Sequence, residues 1–290
     1  MTMTTRRILG RHGPEAEDGT LPSACRGGTS FVSISDSDDF YRQMVQALTD
    51  AGAPFLVGGA YAFARYTGIE RHTKDFDIFV RPSDVDAVLG VLAGAGCSTE
   101  LTYPHWLAKA YRGEDFVDVI FSSGNGVAVV DDEWFAHAVE AEVLGRSVLL
   151  CPAEETLWSK AFVMERERFD GADVAHLLLW TSAQLDWHRL LRRFGQNWPV
   201  LMAHITLFGF SFPSEADRVP DWVTRELLGR AACGLWKPVN GERVCRGTIL
   251  SREQYLIDVQ EWGYRDGRLP PDGRMTEAEI AEWTDAIDDH

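Results

Sequence analysis

Apolar residues recur along the first half of the chain in two different patterns. Over 38–51 they return every three to four positions, with Phe40, Met44 and Leu48 on one face, which predicts a helix that ends at Gly52. Short apolar runs bounded by glycine and polar residues predict strands instead. These strands are expected at 55–57, 74–80, 106–111, 116–121 and 147–150.

Turn residues predict how the strands are connected. The third and fourth strands are expected to form a hairpin about Gly113. A short helix over 60–67 would follow the first strand and end at Gly68. Another helix would follow Pro82 and run to 92, with Ser83 as its N-cap.

The second half of the chain has helical periodicity. Five helices with short breaks are expected between 153 and about 230, after Pro152. Two capping-box patterns follow in the last forty residues, at Ser251 and at Thr276. The sequence therefore predicts an α/β fold, a mixed-sheet core followed by an α-helical C-terminal region.

These patterns divide the chain into four parts. Residues 1–34 are rich in Gly, Pro, Arg and Thr, which predicts a flexible leader. An α/β domain over 35–151 and a helical domain over 152–235 would follow. The acidic extension 236–290 would pack back on the body or on a second subunit, so an oligomer formed through this extension is one expectation.

Composition excludes several classes of protein. The 290 residues are 45% hydrophobic and 25% charged, as in globular proteins, and the net charge of −16 opposes non-specific binding to nucleic acid or anionic membranes. Nucleic acid is therefore expected only as a specific substrate. Five widely spaced cysteines predict neither a disulfide framework nor a zinc site. The longest apolar run, 200–212, is too short to span a bilayer, and we expect a cytoplasmic protein without membrane contact.

Three aspartates lie in or beside the predicted strands. Asp75 and Asp77 alternate with apolar residues, so both would point to one face, and Asp118 lies in a later strand. A turn with Gly58 and Gly59 precedes a helix, where backbone can approach phosphate. Since converging carboxylates are costly without a counter-ion, divalent cations are the natural complement. Taken singly, the Gly-Gly pair is typical of an ordinary turn, and the Asp-x-Asp pair of an edge strand.

In this order and spacing the motifs resemble the polymerase-β-type nucleotidyltransferase superfamily. The strand, the Gly58-Gly59 turn, the Asp75-x-Asp77 strand and the later Asp118 make up the resemblance, which covers about residues 38–180. The long gap from Gly59 to Asp75 is most similar to uncharacterised bacterial nucleotidyltransferases and to the abortive-infection toxin branch. The resemblance implies a nucleotidyltransferase core in which the three aspartates are catalytic and hold Mg²⁺ or Mn²⁺.

The same resemblance implies that nucleotide-binding residues include Lys160 besides the two glycines, with its ammonium group on the triphosphate of ATP or another NTP. For Lys160 an ordinary place on a helix surface is the alternative. Arg71 and Lys74 immediately precede the acids, where they would balance the carboxylates or contact the nucleotide. Asp170 and Asp173 are expected to form intrahelical salt bridges with Arg166 and Arg168.

Two functions follow from this interpretation. The first is transfer of a nucleoside monophosphate from an NTP to a hydroxyl acceptor, with release of pyrophosphate. The acceptor would be a small metabolite, a tRNA end or a protein side chain. The second is a non-catalytic, nucleotide-binding regulatory or toxin–antitoxin interaction module.

Overall fold

A computed structural model of the chain describes residues 36–71, 73, 75–235 and 241–285. The helices are α1 (Asp36–Asp50), α2 (Gly59–Thr67), α3 (Val85–Gly94), α4 (Asp132–Ala136), α5 (Ala153–Ala161), α6 (Gly171–Thr181), α7 (Trp187–Phe194), α8 (Trp198–Ser211), α9 (Asp221–Arg230), α10 (Leu256–Gln260) and α11 (Glu277–Asp285). The strands are β1 (Leu56–Val57), β2 (Phe76–Phe79), β3 (Ser98–Tyr103), β4 (Leu107–Arg112), β5 (Asp115–Ile120), β6 (Val139–Val143), β7 (Arg146–Leu150), β8 (Val244–Cys245) and β9 (Arg265–Asp266).

The first seven strands form one mixed sheet in the order β3-β4-β5-β2-β1-β7-β6. Strand β2 is parallel to β5 and β1 is parallel to β7, whereas the other neighbours are antiparallel. The predicted hairpin is confirmed, because β4 pairs with β5 around Gly113, whose φ is +66°. Five α-helices, α5 to α9, follow the sheet. A mixed sheet followed by a helical region is the predicted fold class.

The two faces of the sheet belong to two hydrophobic clusters. On one face, Phe76 and Ile78 of β2 are fully buried in a cluster with residues of α1 and α3. On the other face, Phe79 packs against a second cluster that includes Phe63 of α2 and much of α5 to α9. Because side chains alternate along a strand, Asp77 lies on the same face as Phe79, toward the helical region.

Some local predictions are confirmed and others are wrong. Helix α1 ends before Gly52 and α2 before Gly68, and both glycines have positive φ. The Ser83 N-cap is wrong: Pro82–Asp84 forms a 3₁₀ turn, and α3 begins at Val85 with no side-chain cap. The edge strands β3 and β6 were not predicted: the mostly exposed β3 lacks a clear apolar alternation, and the short alternation of Val139, Ala141 and Val143 with glutamates in β6 was missed.

The C-terminal extension contacts both other parts of the fold. The Asn125 side chain donates to Ile249 O (2.7 Å), and the Met164 N–H donates to Leu250 O (3.1 Å). The capping box at Thr276 is confirmed, because Thr276 N–H donates to the Glu279 carboxylate and Glu279 N–H donates to Thr276 Oγ1. At Ser251 the side chain accepts from Gln254 N–H, but α10 begins only at Leu256. In the part of the chain that the structure describes, no helix is long and apolar enough to cross a bilayer.

Candidate active site

Three charged residues lie side by side on neighbouring strands. Asp77 of β2 is opposite Asp118 of β5, and Asp118 is opposite Lys109 of β4. Residues in direct register across strands have side chains on the same face. Asp75 immediately precedes β2 and is exposed, two residues from Asp77. The sheet therefore places Asp77 and Asp118 together as predicted, with a lysine that was not predicted.

The glycine turn packs directly on this row. Gly58 N–H donates to the Asp77 backbone carbonyl (3.0 Å), and Gly59, the first residue of α2, has φ of +53°. A Cβ atom on Gly59 would overlap the Asp77 carboxylate. Glycine is thus required here by the position of a catalytic candidate. A role of Gly58 and Gly59 in binding phosphate stays a prediction.

Burial and crowding change the acidity of the carboxylates. Burial, followed by the neighbouring charges of Asp118 and Asp75, raises the pKa of Asp77 to about 7, although Lys160 and Arg168 oppose the rise. Burial also raises the pKa of Asp118, and Lys109 opposes it. Like charges that raise one another's pKa are the electrostatic condition that a divalent cation relieves.

The donor chemistry of this face of the sheet fits a hard cation such as Mg²⁺, which prefers carboxylate oxygen. Oδ1 of Asp118 is buried, and Lys109 Nζ lies 3.0 Å from it in an ion pair. Across 36–71, 73, 75–235 and 241–285, however, no three His, Cys, Asp or Glu side chains are grouped closely enough to hold a metal ion. The carboxylates lie on one face of the sheet but do not form a complete set of metal ligands.

A second charged cluster faces the carboxylates from the helical region. The cationic groups of Arg71, Lys160 and Arg168 surround two buried acids, Asp170 and Asp173. Lys160 Nζ lies 3.1 Å from Asp170 and 2.8 Å from Asp173, and Arg71 Nη1 lies 2.9 Å from Asp173. Lys74, the other predicted nucleotide-binding cation, lies outside the described residues.

This cluster partly corrects the sequence prediction for the two acids. Asp170 does pair with nearby Arg168, at 3.1 Å. Asp173 pairs instead with Lys160 and with Arg71, and 102 residues separate Arg71 from Asp173. Burial would raise the pKa of both acids, yet the hydrogen bonds from these cations outweigh burial and lower it. The two carboxylates are therefore ionised and hold the cations in place.

Both charged clusters line one cavity of about 800 Å³. Part of the lining consists of Gly58, Gly59, Arg71 and Lys160. Another part follows β5 from Asp118 and Ile120 to the loop 122–125. The sequence prediction missed the third wall, which comes from the C-terminal extension and consists of Thr248, Ile249, Leu250, Arg252, Glu253 and Trp283.

Trp283 of α11 anchors this third wall. Its ring lies edge-on to Tyr103 and Trp106, with centroids 5.2 Å apart in both pairs, and the Arg252 guanidinium lies 4.4 Å from its centroid. Arg252 is fixed in turn because its backbone N–H donates to the Glu165 carboxylate (2.9 Å). The extension thus contacts Tyr103 of β3 and closes one side of the cavity.

Comparisons with known proteins found no sequence match and several structural matches of low sequence identity. No protein-family profile matches the sequence, and no curated protein matches it. The fold is similar to a solved structure of the antibiotic-resistance factor ANT(2'')-Ia, with 17% identity and a TM-score of 0.41 over 58% of this chain and 95% of the other. It is also similar to the lincosamide antibiotic adenylyltransferase LnuA, with 15% identity and a TM-score of 0.35 over 49% and 96%.

A nucleotidyltransferase-like protein from Paracoccidioides brasiliensis is a further structural neighbour, with 14% identity and a TM-score of 0.35 over 59% of this chain and 92% of the other. Similarity this low assigns no activity to the chain. The geometry of the cavity has to carry the functional conclusion.

Proposed function

We propose that the chain transfers a nucleoside monophosphate from an NTP such as ATP to a hydroxyl acceptor and releases pyrophosphate. The observation that carries the proposal is the shared cavity, in which Asp77 and Asp118 lie side by side opposite Lys160 and Arg71. Phosphoryl-type transfer needs cations around the phosphates and a carboxylate near the attacking hydroxyl. The solved neighbours whose names describe antibiotic adenylyl transfer are consistent with this class.

The triphosphate would lie at the end of the cavity formed by the glycine turn and the cation cluster. Lys160 and Arg71 would contact phosphate oxygens there, and the N-terminus of α2 favours negative charge. Asp170 and Asp173 would act as positioning residues, because each already holds these cations at the cavity wall.

The acceptor would lie at the other end, toward Trp106 and Trp283. Its hydroxyl would give its proton to Asp118, its oxygen would form a bond to the α-phosphorus, and the bond from that phosphorus to the bridging oxygen would break. The leaving group is pyrophosphate. Mg²⁺ or Mn²⁺, held by Asp75 and Asp77, would offset the charge of the phosphates. The size of the cavity leaves a small hydroxylated molecule, a tRNA end and a protein side chain all open as acceptors.

Binding and turnover of NTP can be separated experimentally. We expect Lys160→Met to weaken binding of a non-hydrolysable α,β-methylene NTP about tenfold, because one charge-assisted contact is lost. Asp118→Asn should retain that binding and lose pyrophosphate release. The control is Arg225→Met, which removes one charge from an exposed ion pair on α9. Wild-type protein that binds each NTP with Mg²⁺ and releases no pyrophosphate with any acceptor class would favour the non-catalytic binding module instead.

A further inference from the structure

The ion pair between Lys109 and Asp118 involves one of the three aspartates that the sequence resemblance implies as ligands of Mg²⁺ or Mn²⁺. Lys109 Nζ lies 3.0 Å from Asp118 Oδ1, and only 22% of the lysine side chain and 15% of the aspartate side chain are exposed. The two residues are in direct cross-strand register on β4 and β5. The ammonium group also lies 4.3 Å from the centroid of the Phe116 ring, on the same face of β5. Two side-chain contacts and the strand register therefore fix the lysine at this point.

We propose that Lys109 is a built-in cation that replaces a divalent ion at Asp118, so that the chain binds one divalent ion, at Asp75 and Asp77, and not two. An ammonium group supplies a fixed positive charge against the carboxylate and blocks the oxygen that a metal would need. The role of the bound ion in transfer rests on the proposed function, whereas the number of bound ions does not.

The charges around Asp118 support the same assignment. The charged groups that act on its carboxylate are Lys109, which is attractive, and Asp75 and Asp77, which are repulsive. Asp77, its neighbour on β2, receives its positive charges from Lys160 and Arg168 across the cavity. Asp118 thus has a cation of its own, while the Asp75 and Asp77 pair has no cation in direct contact among the described residues. Lys109 would act as a positioning residue that holds Oδ1 of Asp118 and leaves the other oxygen to accept the proton of the acceptor hydroxyl.

Metal binding, measured independently of catalysis, tests this assignment. The full chain is titrated with Mn²⁺ alone, and free Mn²⁺ is measured by electron paramagnetic resonance. We expect one bound ion in the wild type, lost in Asp77→Asn and unchanged in Asp118→Asn. Lys109→Met should add a second ion or raise the Mn²⁺ affinity at least about tenfold, because the ion no longer has to displace a charge-assisted contact. Lys109→Met combined with Asp118→Asn should lose this gain.

The charge-matched control is Arg225→Met, which should leave Mn²⁺ binding unchanged because its ion pair with Asp221 is exposed and outside the cavity. A cross-strand ion pair with only a structural role would lower the thermal stability of Lys109→Met and leave its Mn²⁺ binding as in the wild type, which overturns the inference. Two ions in the wild type, one of them lost in Asp118→Asn, would overturn it as well, and that variant answers the question even if Lys109→Met does not fold.

The two proposals fail separately. If transfer depends on Asp77 but the wild type binds two ions, the function stands and the role of Lys109 is wrong. If Lys109→Met gains a metal ion but no nucleotide is ever transferred, the role of Lys109 stands and the function is wrong.

Discussion

The carboxylate of Asp77 occupies the space that a side chain on Gly59 would need. The glycine that opens α2 and the aspartate at the centre of β2 are therefore one structural unit. The requirement for glycine comes from the aspartate, in addition to any approach of a phosphate group. Function at the carboxylates and the shape of the turn cannot be changed independently.

Gly59→Ala tests this relationship. The added methyl group should displace the Asp77 side chain and abolish Mn²⁺ binding and nucleotide transfer. Gly68→Ala is the matched control, since Gly68 also has positive φ (+70° against +53°) but a Cβ atom there would meet nothing within 4 Å. Both variants should lose about 1 kcal/mol of unfolding free energy for the left-handed backbone. Wild-type Mn²⁺ affinity in a folded Gly59→Ala protein would contradict the proposed contact.

Trp283→Ala should affect the acceptor and not the nucleotide. The ring lies 5.2 Å from the Trp106 ring, centroid to centroid, in the part of the cavity proposed for the acceptor, so we expect the KM for the acceptor to rise about tenfold while NTP affinity is retained. Trp262→Ala, in the same extension, removes a residue that is 55% exposed and should change neither constant. An equal loss of NTP affinity in Trp283→Ala would mean that the extension encloses the nucleotide instead.

His204 should make the folded chain sensitive to acid. It is buried on α8 with Nε2 2.8 Å from Ala161 O, and burial lowers its pKa. Protonation therefore favours the unfolded chain, whose histidines titrate near about pH 6.5. The contribution of neutral His204 to the free energy of unfolding is complete above that pH. It is lost as the pH falls below it, by up to about 1.4 kcal/mol for each pH unit.

Urea unfolding between pH 7.5 and pH 5 measures this dependence. We expect a smaller slope in His204→Gln, where an amide N–H can still donate to Ala161 O. The exposed His137 provides the control, and His137→Gln should keep the wild-type slope. Equal slopes in all three proteins would exclude His204 as the source.

The central strands could be predicted because their apolar alternation reflects burial on two faces. Phe76 and Ile78 are buried, and Asp77 between them points the other way, as the pattern indicated. Strands β3 and β6 lie at the edges of the sheet and are mostly exposed; β3 gives no such signal, whereas β6 gives a short one, VEAEV, that the sequence prediction missed. Edge strands are specified by their neighbours more than by their own sequence.

The same division holds for the candidate site. The position of Lys109 opposite Asp118 could have been predicted, because a hairpin about Gly113 sets the register that pairs Asp118 with Lys109. The contact of Arg71 with Asp173 could not have been predicted, since 102 residues separate them and only the packing of α6 near α2 brings them together. Trp283 belongs to the same class: nothing local in α11 indicates that it lines a cavity built from other elements.

Isotope position in the product tests the central claim most directly. The full chain is incubated with Mg²⁺ and each NTP labelled either at the α- or at the γ-phosphate, together with hydroxylated small molecules, tRNA or protein as acceptor. We predict that the wild type moves the α-label onto one acceptor class and that the γ-label appears in pyrophosphate. Asp77→Asn should do neither, while Arg225→Met should do both. Transfer of the γ-label to the acceptor, or equal α-label transfer by folded Asp77→Asn, would contradict the account.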